Sequence, residues 1–246
     1  MKRAAWLGAA LLLLTVAWHI DADPARLVRG LPWMWDFVRR MVPPDFRVLP
    51  SALRGAVGTI EIAFLGTALA AALAVPLGFL SARNVAPPAV YYAVRTALNF
   101  FRSIDTLVYA LLFVAAVGLG PFPGMLAVVA YTTTSLAKLY SETIEGIEPG
   151  PVDAIRATGA TRLQVLRFGI LPQVLPLFLS YVLYRFESNV RAATVLGFVG
   201  AGGSGLYLQT YLRMIDYPAA STVLLVTVVM VMLVDFASAQ IRARLV

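Results

Sequence analysis

Residues 150–172 read GPVDAIRATGATRLQVLRFGILP, and they are the longest markedly polar segment in the second half of a very apolar chain. The stretch predicts two short helices around a tight turn. Pro151 suits a first helical position, where its missing N–H would be unpaired anyway. Asp153 then puts a negative charge in the first turn, where the helix dipole favours it. Gly159 is the natural left-handed stop, because a residue without Cβ enters that conformation cheaply. Thr161 followed by Gln164 is a capping box that restarts a helix. Val152 and Ile155 share one face of the first helix, and Leu163, Leu166 and Ile170 share one face of the second. Pro172 marks the entry to the next apolar run.

The chain around this hairpin belongs in a membrane. Of its 246 residues, 60% are hydrophobic and only 13% are charged, with mean hydropathy +0.79. Soluble domains carry about 25% charged residues. Composition therefore predicts an all-α, polytopic membrane protein. The formal net charge of +7 suits cytoplasmic loops facing anionic lipid. The arginines are scattered rather than gathered on one face, which argues against nucleic acid as a partner. There is no Cys and a single His, so disulfides, thiolate chemistry and a multi-histidine metal site are excluded within one chain. Lys2 and Lys138 are the only lysines and no GxxxxGK[ST] occurs, so any ATP hydrolysis belongs to another chain.

Six spans are expected. Residues 4–20, after Lys2 and Arg3, read as an uncleaved signal-anchor helix with its N-terminus in the cytoplasm. Residues 21–54 form a mixed segment in which Trp33, Trp35 and Phe37 suggest an interfacial helix, although its six arginines fit a periplasmic location poorly. Residues 55–81 are the second span, 87–102 an amphipathic connection, 104–117 the third span and 125–140 the fourth. The hairpin follows; 171–186 and 219–237 are the fifth and sixth spans. On this reading residues 1–50 hold the N-terminal helix and a periplasmic interfacial segment. Residues 51–246 hold the transmembrane domain, with the hairpin helices at 150–169. Both termini and the hairpin then face the cytoplasm.

A second informative stretch, residues 187–205, reads ESNVRAATVLGFVGAGGSG. Gly200, Gly202 and Gly205 spell G-x-G-x-x-G, but apolar spans on both sides deny it the strand and helix context of a dinucleotide site. Five glycines between 197 and 205, Gly203 among them, instead suggest a broken or re-entrant helix. Two uses stay open: backbone N–H groups offered to an anion, or a tightly packed corner. Arg185, Glu187 and Arg191 cluster at the predicted periplasmic end of the fifth span, where an arginine fork would suit an oxyanion. An ion pair of Glu187 with Arg185 or Arg191 is the alternative. Arg191, Asn189, Glu187 and the glycines 200, 202, 203 and 205 are the candidate substrate path. Arg102 and Asp105, three residues apart, are expected to share a helix face and pair.

Residues 150–172 resemble the EAA motif of ABC-importer permeases: Glu-Ala-Ala, three residues, Gly, nine residues, then Ile-x-Leu-Pro. Asp153-Ala154-Ile155, Gly159 and Leu171-Pro172 fall at matching spacings. Asp153 replaces Glu, Ile155 replaces the second Ala, and Gly169 stands at the Ile position. Longer blocks resemble the phosphonate-type permeases: residues 117–122, 138–142, and 184–203 in several pieces. This resemblance runs from about residue 54 to the C-terminus.

The resemblance implies a type I ABC-importer permease core with one extra N-terminal helix, in the bacterial inner membrane. It implies import of phosphonate or a related phosphorus oxyanion such as phosphite or hypophosphite. Asp153, Ala154, Ile155, Gly159, Leu171 and Pro172 would form the coupling segment that docks on a separate ATPase. The implied partners are an ATPase dimer, a periplasmic binding protein, a second permease copy and membrane lipid. No cofactor is expected on this chain, with ATP and Mg on the ATPase. A permease for methionine or another small solute, a secondary transporter and an intramembrane enzyme are the alternatives. The last is opposed by the lack of a nucleophile–base pair.

Overall fold

In this computed structural model residues 2–244 are described, without the side chains of residues 2–5 and 7–10. The expected anchoring of the N-terminus by Lys2 and Arg3 falls on those side chains, outside the described residues. Every regular element described is helical. The chain divides into two units, Met1–Pro43 and Pro44–Val246.

The first unit contains α1 (Lys2–His19) and α2 (Pro24–Arg40). Asp23 starts α2: its carboxylate accepts from Ala25 N–H at 2.8 Å while Pro24 takes the first helical position. Trp33 and Trp35 are exposed on α2, as an interfacial helix requires. Part of its positive charge is answered locally: Arg26 pairs with Asp21, Arg29 with Asp23, and Arg40 with Asp36.

The second unit is built on α3 (Leu49–Leu80). Small residues recur at helical spacing along its buried face: Ala52, Gly55, Ala56, Thr59, Ala63, Gly66, Thr67, Ala70, Ala74 and Gly78. In lipid, spans gain little from burying apolar surface against one another, so close backbone approach and dispersion must hold them together. A Cβ at Gly66 would come within 2.6 Å of Val128, one at Gly78 within 2.7 Å of Tyr140, and one at Gly55 within 2.8 Å of Tyr207.

After α3 come α4 (Pro88–Arg102) and α5 (Thr106–Val117), bent by 84°. Asp105 is not the partner of Arg102. It caps α5, accepting from Leu107 N–H at 2.8 Å, because the helix carrying Arg102 has already ended. Tyr109 reaches back over the bend to Phe101 O at 2.8 Å. Next are α6 (Pro121–Glu145), α7 (Pro149–Ala157), α8 (Arg162–Gln164), α9 (Leu171–Leu196), α10 (Gly203–Arg213) and α11 (Tyr217–Arg242). α6 packs along α3, and Tyr140 of α6 stacks on Phe178 of α9 at 3.7 Å.

Three helical runs among the described residues are long and apolar enough to cross a membrane: Phe46–Leu80, Arg162–Val199 and Tyr217–Arg242. The bent α4–α5 pair makes a fourth if it counts as one span. Of the six expected spans, that leaves α1 and α6. The apolar character of α6 is diluted by a run of hydroxyls, Thr132–Thr133–Thr134–Ser135, which it buries inside the bundle.

Candidate functional site

The hairpin forms with the expected turn and different ends. α7 begins at Pro149 rather than Pro151, with Glu148 as N-cap, so Asp153 lies beyond the first turn. There it pairs with Arg156 at 3.2 Å. Gly159 has φ +79°, and nothing surrounds the position a Cβ would take. Thr161 and Gln164 make the capping box, with Thr161 N–H donating to Gln164 Oε1 at 2.7 Å.

The second helix of the hairpin is continuous with the following span, because Arg162–Val199 is one helical run. A π-turn at Val165–Ile170 adjusts the register, with Leu171 N–H donating to Leu166 O, five residues back. Pro172 has no N–H to continue the four-residue ladder, which suits a π-turn just before it. The wider turn changes which residues face inward. Val165 and Ile170, five apart, are buried, whereas Leu163 is 74% exposed and leaves the face expected for it.

The two arms are held together from both sides. Val152 packs under Gly169, whose Cβ would meet Val152 Cα at 3.3 Å. Gln173 accepts from Glu148 N–H at 3.1 Å and donates to Gly169 O at 2.7 Å. Glu145 accepts from Arg83 N–H and from Arg95 Nη1, both at 2.8 Å, and Asn84 donates to Ile144 O at 2.7 Å. The end of α3 is thereby tied to the start of the hairpin. A cavity of about 570 Å³ opens between them, lined by Asn84, Val85, Arg156, Arg162 and Leu166 among others. Of the motif residues, Ala154 and Asp153 are exposed on α7, Ile155 is partly buried, and Leu171 and Pro172 start α9.

The candidate path residues separate into three places. The fifth span does not end at residue 186; α9 runs to Leu196, so Glu187, Asn189 and Arg191 lie inside a helix. Asn189 is 4% exposed and donates to the Thr67 hydroxyl at 2.8 Å and the Thr132 hydroxyl at 3.0 Å. It ties α9 to α3 and α6. Arg191 contacts both carboxylate oxygens of Asp235 at 2.9 Å, and Glu187 at 3.2 Å. Glu187 also lies 2.9 Å from Arg242, as a charge contact without an aligned hydrogen bond.

This quartet corrects the expected depth of Arg191. A residue at the outer mouth could not share an ion-pair cluster with Arg242, the last residue of α11, at the end expected to face the cytoplasm.

The glycines lie elsewhere. A 3-10 turn, Gly197–Val199, ends the α9 run, Gly200 turns left-handed at φ +85°, and α10 starts at Gly203: the helix is broken, as expected. Residues 200–205 are all buried. A Cβ at Gly203 would meet Thr59 Oγ1 at 2.7 Å, and one at Gly205 would lie 1.8 Å from Thr194 O. The N–H groups of Gly200, Ala201 and Ser204 are taken by Gly197 O, Leu196 O and Thr59 Oγ1. The run packs as a corner between α3, α6 and α9, apart from Arg191.

Sequence reasoning missed Asp235, Thr67 and Thr132. Asp235 carried a signal, since a lone acid in an otherwise apolar run requires a partner. The threonines carried none, because a hydroxyl in a span can equally bond its own helix.

Residues 74–246 match the family model described as binding-protein-dependent transport system inner membrane component. The chain belongs to that family. It is thus a multi-pass inner-membrane transport component, of the type I ABC-importer permease fold. It is 43% identical over 234 residues to a permease protein named for phosphite transport, HtxC of Stutzerimonas stutzeri, covering 94% of this chain and 83% of that one. The phosphite transport system permease protein PtxC of the same organism is 40% identical over 233 residues, covering 94% and 85%. Among solved structures, the permease fold recurs in an inward-facing MetNI methionine ABC transporter, with TM-score 0.71 and 24% identity over 82% of this chain and 99% of that one.

Proposed function

We propose that this chain is the permease subunit of an ATP-driven importer that carries phosphonate, phosphite or a related phosphorus oxyanion across the bacterial inner membrane. The observation that carries the reading is the hairpin. An otherwise apolar bundle ends in a polar, rigidly braced turn whose outer residues Asp153, Arg156 and Leu163 are exposed. Such a surface suits docking of a soluble subunit. The identity to proteins named for phosphite transport, spread over most of the chain, supports the substrate class.

On this reading the hairpin and both termini face the cytoplasm. A separate ATPase dimer holds ATP and Mg, and this chain makes and breaks no covalent bonds. One coupling hairpin per chain and two ATPase grooves call for two permease copies. A periplasmic binding protein delivers the anion, and lipid surrounds the bundle. The test is uptake by proteoliposomes holding permease, ATPase and binding protein, with phosphite, methylphosphonate, phosphate and methionine as substrates. ATP-dependent uptake of a phosphorus oxyanion is expected. Uptake of methionine alone, or uptake that survives ATP depletion and fails on collapse of an ion gradient, rejects the reading.

A further inference from the structure

The turn that ends α10 carries the wrong residue for its backbone. Ile215 N–H donates to Leu212 O at 3.1 Å, and Asp216 N–H donates to Tyr211 O at 3.0 Å. This pair of reverse bonds closes a helix when the first residue past its cap is left-handed, and glycine normally fills that place. Here Ile215 fills it, at φ +60°. A β-branched residue is strained in that region. Packing returns little, since Ile215 is 68% exposed and Met214 before it is 69% exposed. Two large apolar side chains thus stand out on a turn that glycine would form more cheaply.

The turn lies at the end of the bundle away from the hairpin. α10 starts where Ser204 N–H meets Thr59 Oγ1, and it runs back along α3 until Leu208 packs with Ala52, near the start of α3. The other end of α3 is the one braced to the hairpin. A cavity of about 610 Å³ adjoins the turn, lined by Leu119, Phe198, Leu206, Gln209, Arg213 and Met214 among others. Leu119, between α5 and α6, is also strongly exposed.

Arg213 brings an unanswered charge to this cavity, for it has no carboxylate partner among the described residues. The acids at this end of α11 are spent on helix caps. Asp216 accepts from Ala219 N–H at 3.1 Å. Asp45, whose own N–H donates to Pro218 O, accepts from Arg47 N–H at 2.9 Å. An adaptable methionine, exposed aliphatic side chains and an arginine around a concave surface are the chemistry of a protein contact.

We propose that the Met214–Ile215 turn and the cavity beside it are where the soluble binding protein of the importer docks. Leu119, Met214 and Ile215 enter its apolar contact, and Arg213 meets one of its carboxylates. This rests on the proposed importer, in which the end away from the hairpin faces the periplasm. The family of this chain is described as binding-protein-dependent, and a soluble protein reaches helix ends but not a flank sheathed in lipid. A turn fixed by two backbone hydrogen bonds presents its side chains already ordered, which lowers the entropy lost on contact.

The test measures binding of the phosphite-loaded binding protein to the permease–ATPase complex in nanodiscs. Met214→Ser, Ile215→Gly and Arg213→Glu should each raise Kd, on the order of tenfold for Arg213→Glu and for the Met214→Ser, Ile215→Gly double variant. Half-maximal stimulation of the ATPase should shift by the same factor, with the rate at saturation little changed. Ile215→Gly separates docking from folding: it relieves the left-handed strain, so the unfolding temperature should hold or rise while docking weakens. Higher salt should weaken docking of the parent more than that of Arg213→Gln, which lacks the charge being screened.

Parent affinity in the Met214 and Arg213 variants overturns the inference. So does an Ile215→Gly protein that loses stability together with docking, which makes the turn structural. Variants altered only in their dependence on anionic lipid also overturn it, and make the turn a membrane contact. A parent complex whose ATPase does not respond to binding protein loaded with phosphite, methylphosphonate or phosphate overturns the importer reading, and this inference with it.

Discussion

Asn189 and Thr67, 122 residues apart in sequence, meet at 2.8 Å inside the bundle, and Thr132 completes the contact. The amide nitrogen donates to both hydroxyls. Thr67 in turn donates to Ala63 O at 2.6 Å, so no member of the knot spends its polarity on lipid. Three helices that share mostly small apolar side chains thereby acquire a fixed register.

Asn189→Leu should therefore destabilise the bundle by about 1–2 kcal/mol, the range for a buried hydrogen-bonded side chain in a membrane protein. Unfolding in detergent measures it. Adding Thr132→Val to Asn189→Leu should cost less than the two single changes summed, because both remove the same contact. Strict additivity would place the two residues in separate environments.

The glycine corner makes a sharper demand. Gly205→Ala would put a methyl group 1.8 Å from a backbone oxygen, Thr194 O, which cannot swing aside as a side chain can. A loss of about 3 kcal/mol, or failure to fold, is expected. Gly150→Ala, with nothing within 4 Å of its Cβ, is the control and should stay within about 1 kcal/mol of the parent. Thermal stability of the two purified variants decides the point. If instead Gly205→Ala folds normally and loses only uptake, the corner serves the anion directly.

These cases show where the sequence was legible. Membrane class, the broken helix at 197–203, the capping box and the left-handed Gly159 all follow from local rules that neighbouring residues state openly. Helix ends were read less well. Pro149 and Pro151 both satisfy the rule for a first helical position, and only Glu148, held by Gln173 twenty-five residues on, favours the earlier one. Span length was misjudged for a related reason. Glu187, Asn189 and Arg191 look like the end of an apolar run, yet α9 continues through them because α3, α6 and α11 supply their partners. A polar residue in a span ends it only where no partner waits on another helix, and a partner 44 residues away, as Asp235 is from Arg191, leaves no local trace.

At the hairpin, Gly159→Val should be strained although there is room for the side chain. The position has φ +79° and an empty surrounding, so the cost is one of backbone conformation, about 1–3 kcal/mol borne by the turn alone. Gly159→Asn should cost less, because a short polar side chain tolerates the left-handed region. The expected outcome for Gly159→Val is a well-inserted protein that no longer couples ATP hydrolysis to uptake, with Gly159→Asn intermediate. Coupled activity at the parent level in Gly159→Val would mean that the turn does not transmit the ATPase stroke.

Arg191 can be assigned by separating stability from transport. It is 45% exposed but bonded to both oxygens of Asp235, and Glu187 beside it is only 14% exposed and shared with Arg242. If the quartet locks α9 to α11, Arg191→Ala leaves Asp235 without a partner, and a loss of about 1–2 kcal/mol is expected at this partial exposure. Removing Asp235 as well should restore much of that loss, since the unpaired charge is the larger part of the penalty. Arg191→Lys should be intermediate, because an ammonium keeps the charge and loses the fork that spans two oxygens. Uptake per folded complex should stay near the parent value in Arg191→Ala and in the double variant. The measurements are a detergent unfolding cycle on the two singles and the double, and uptake normalised to assembled complex. A folded, fully stable Arg191→Ala protein that has lost its uptake would return Arg191 to the substrate path and leave Asp235 as its counter-ion there.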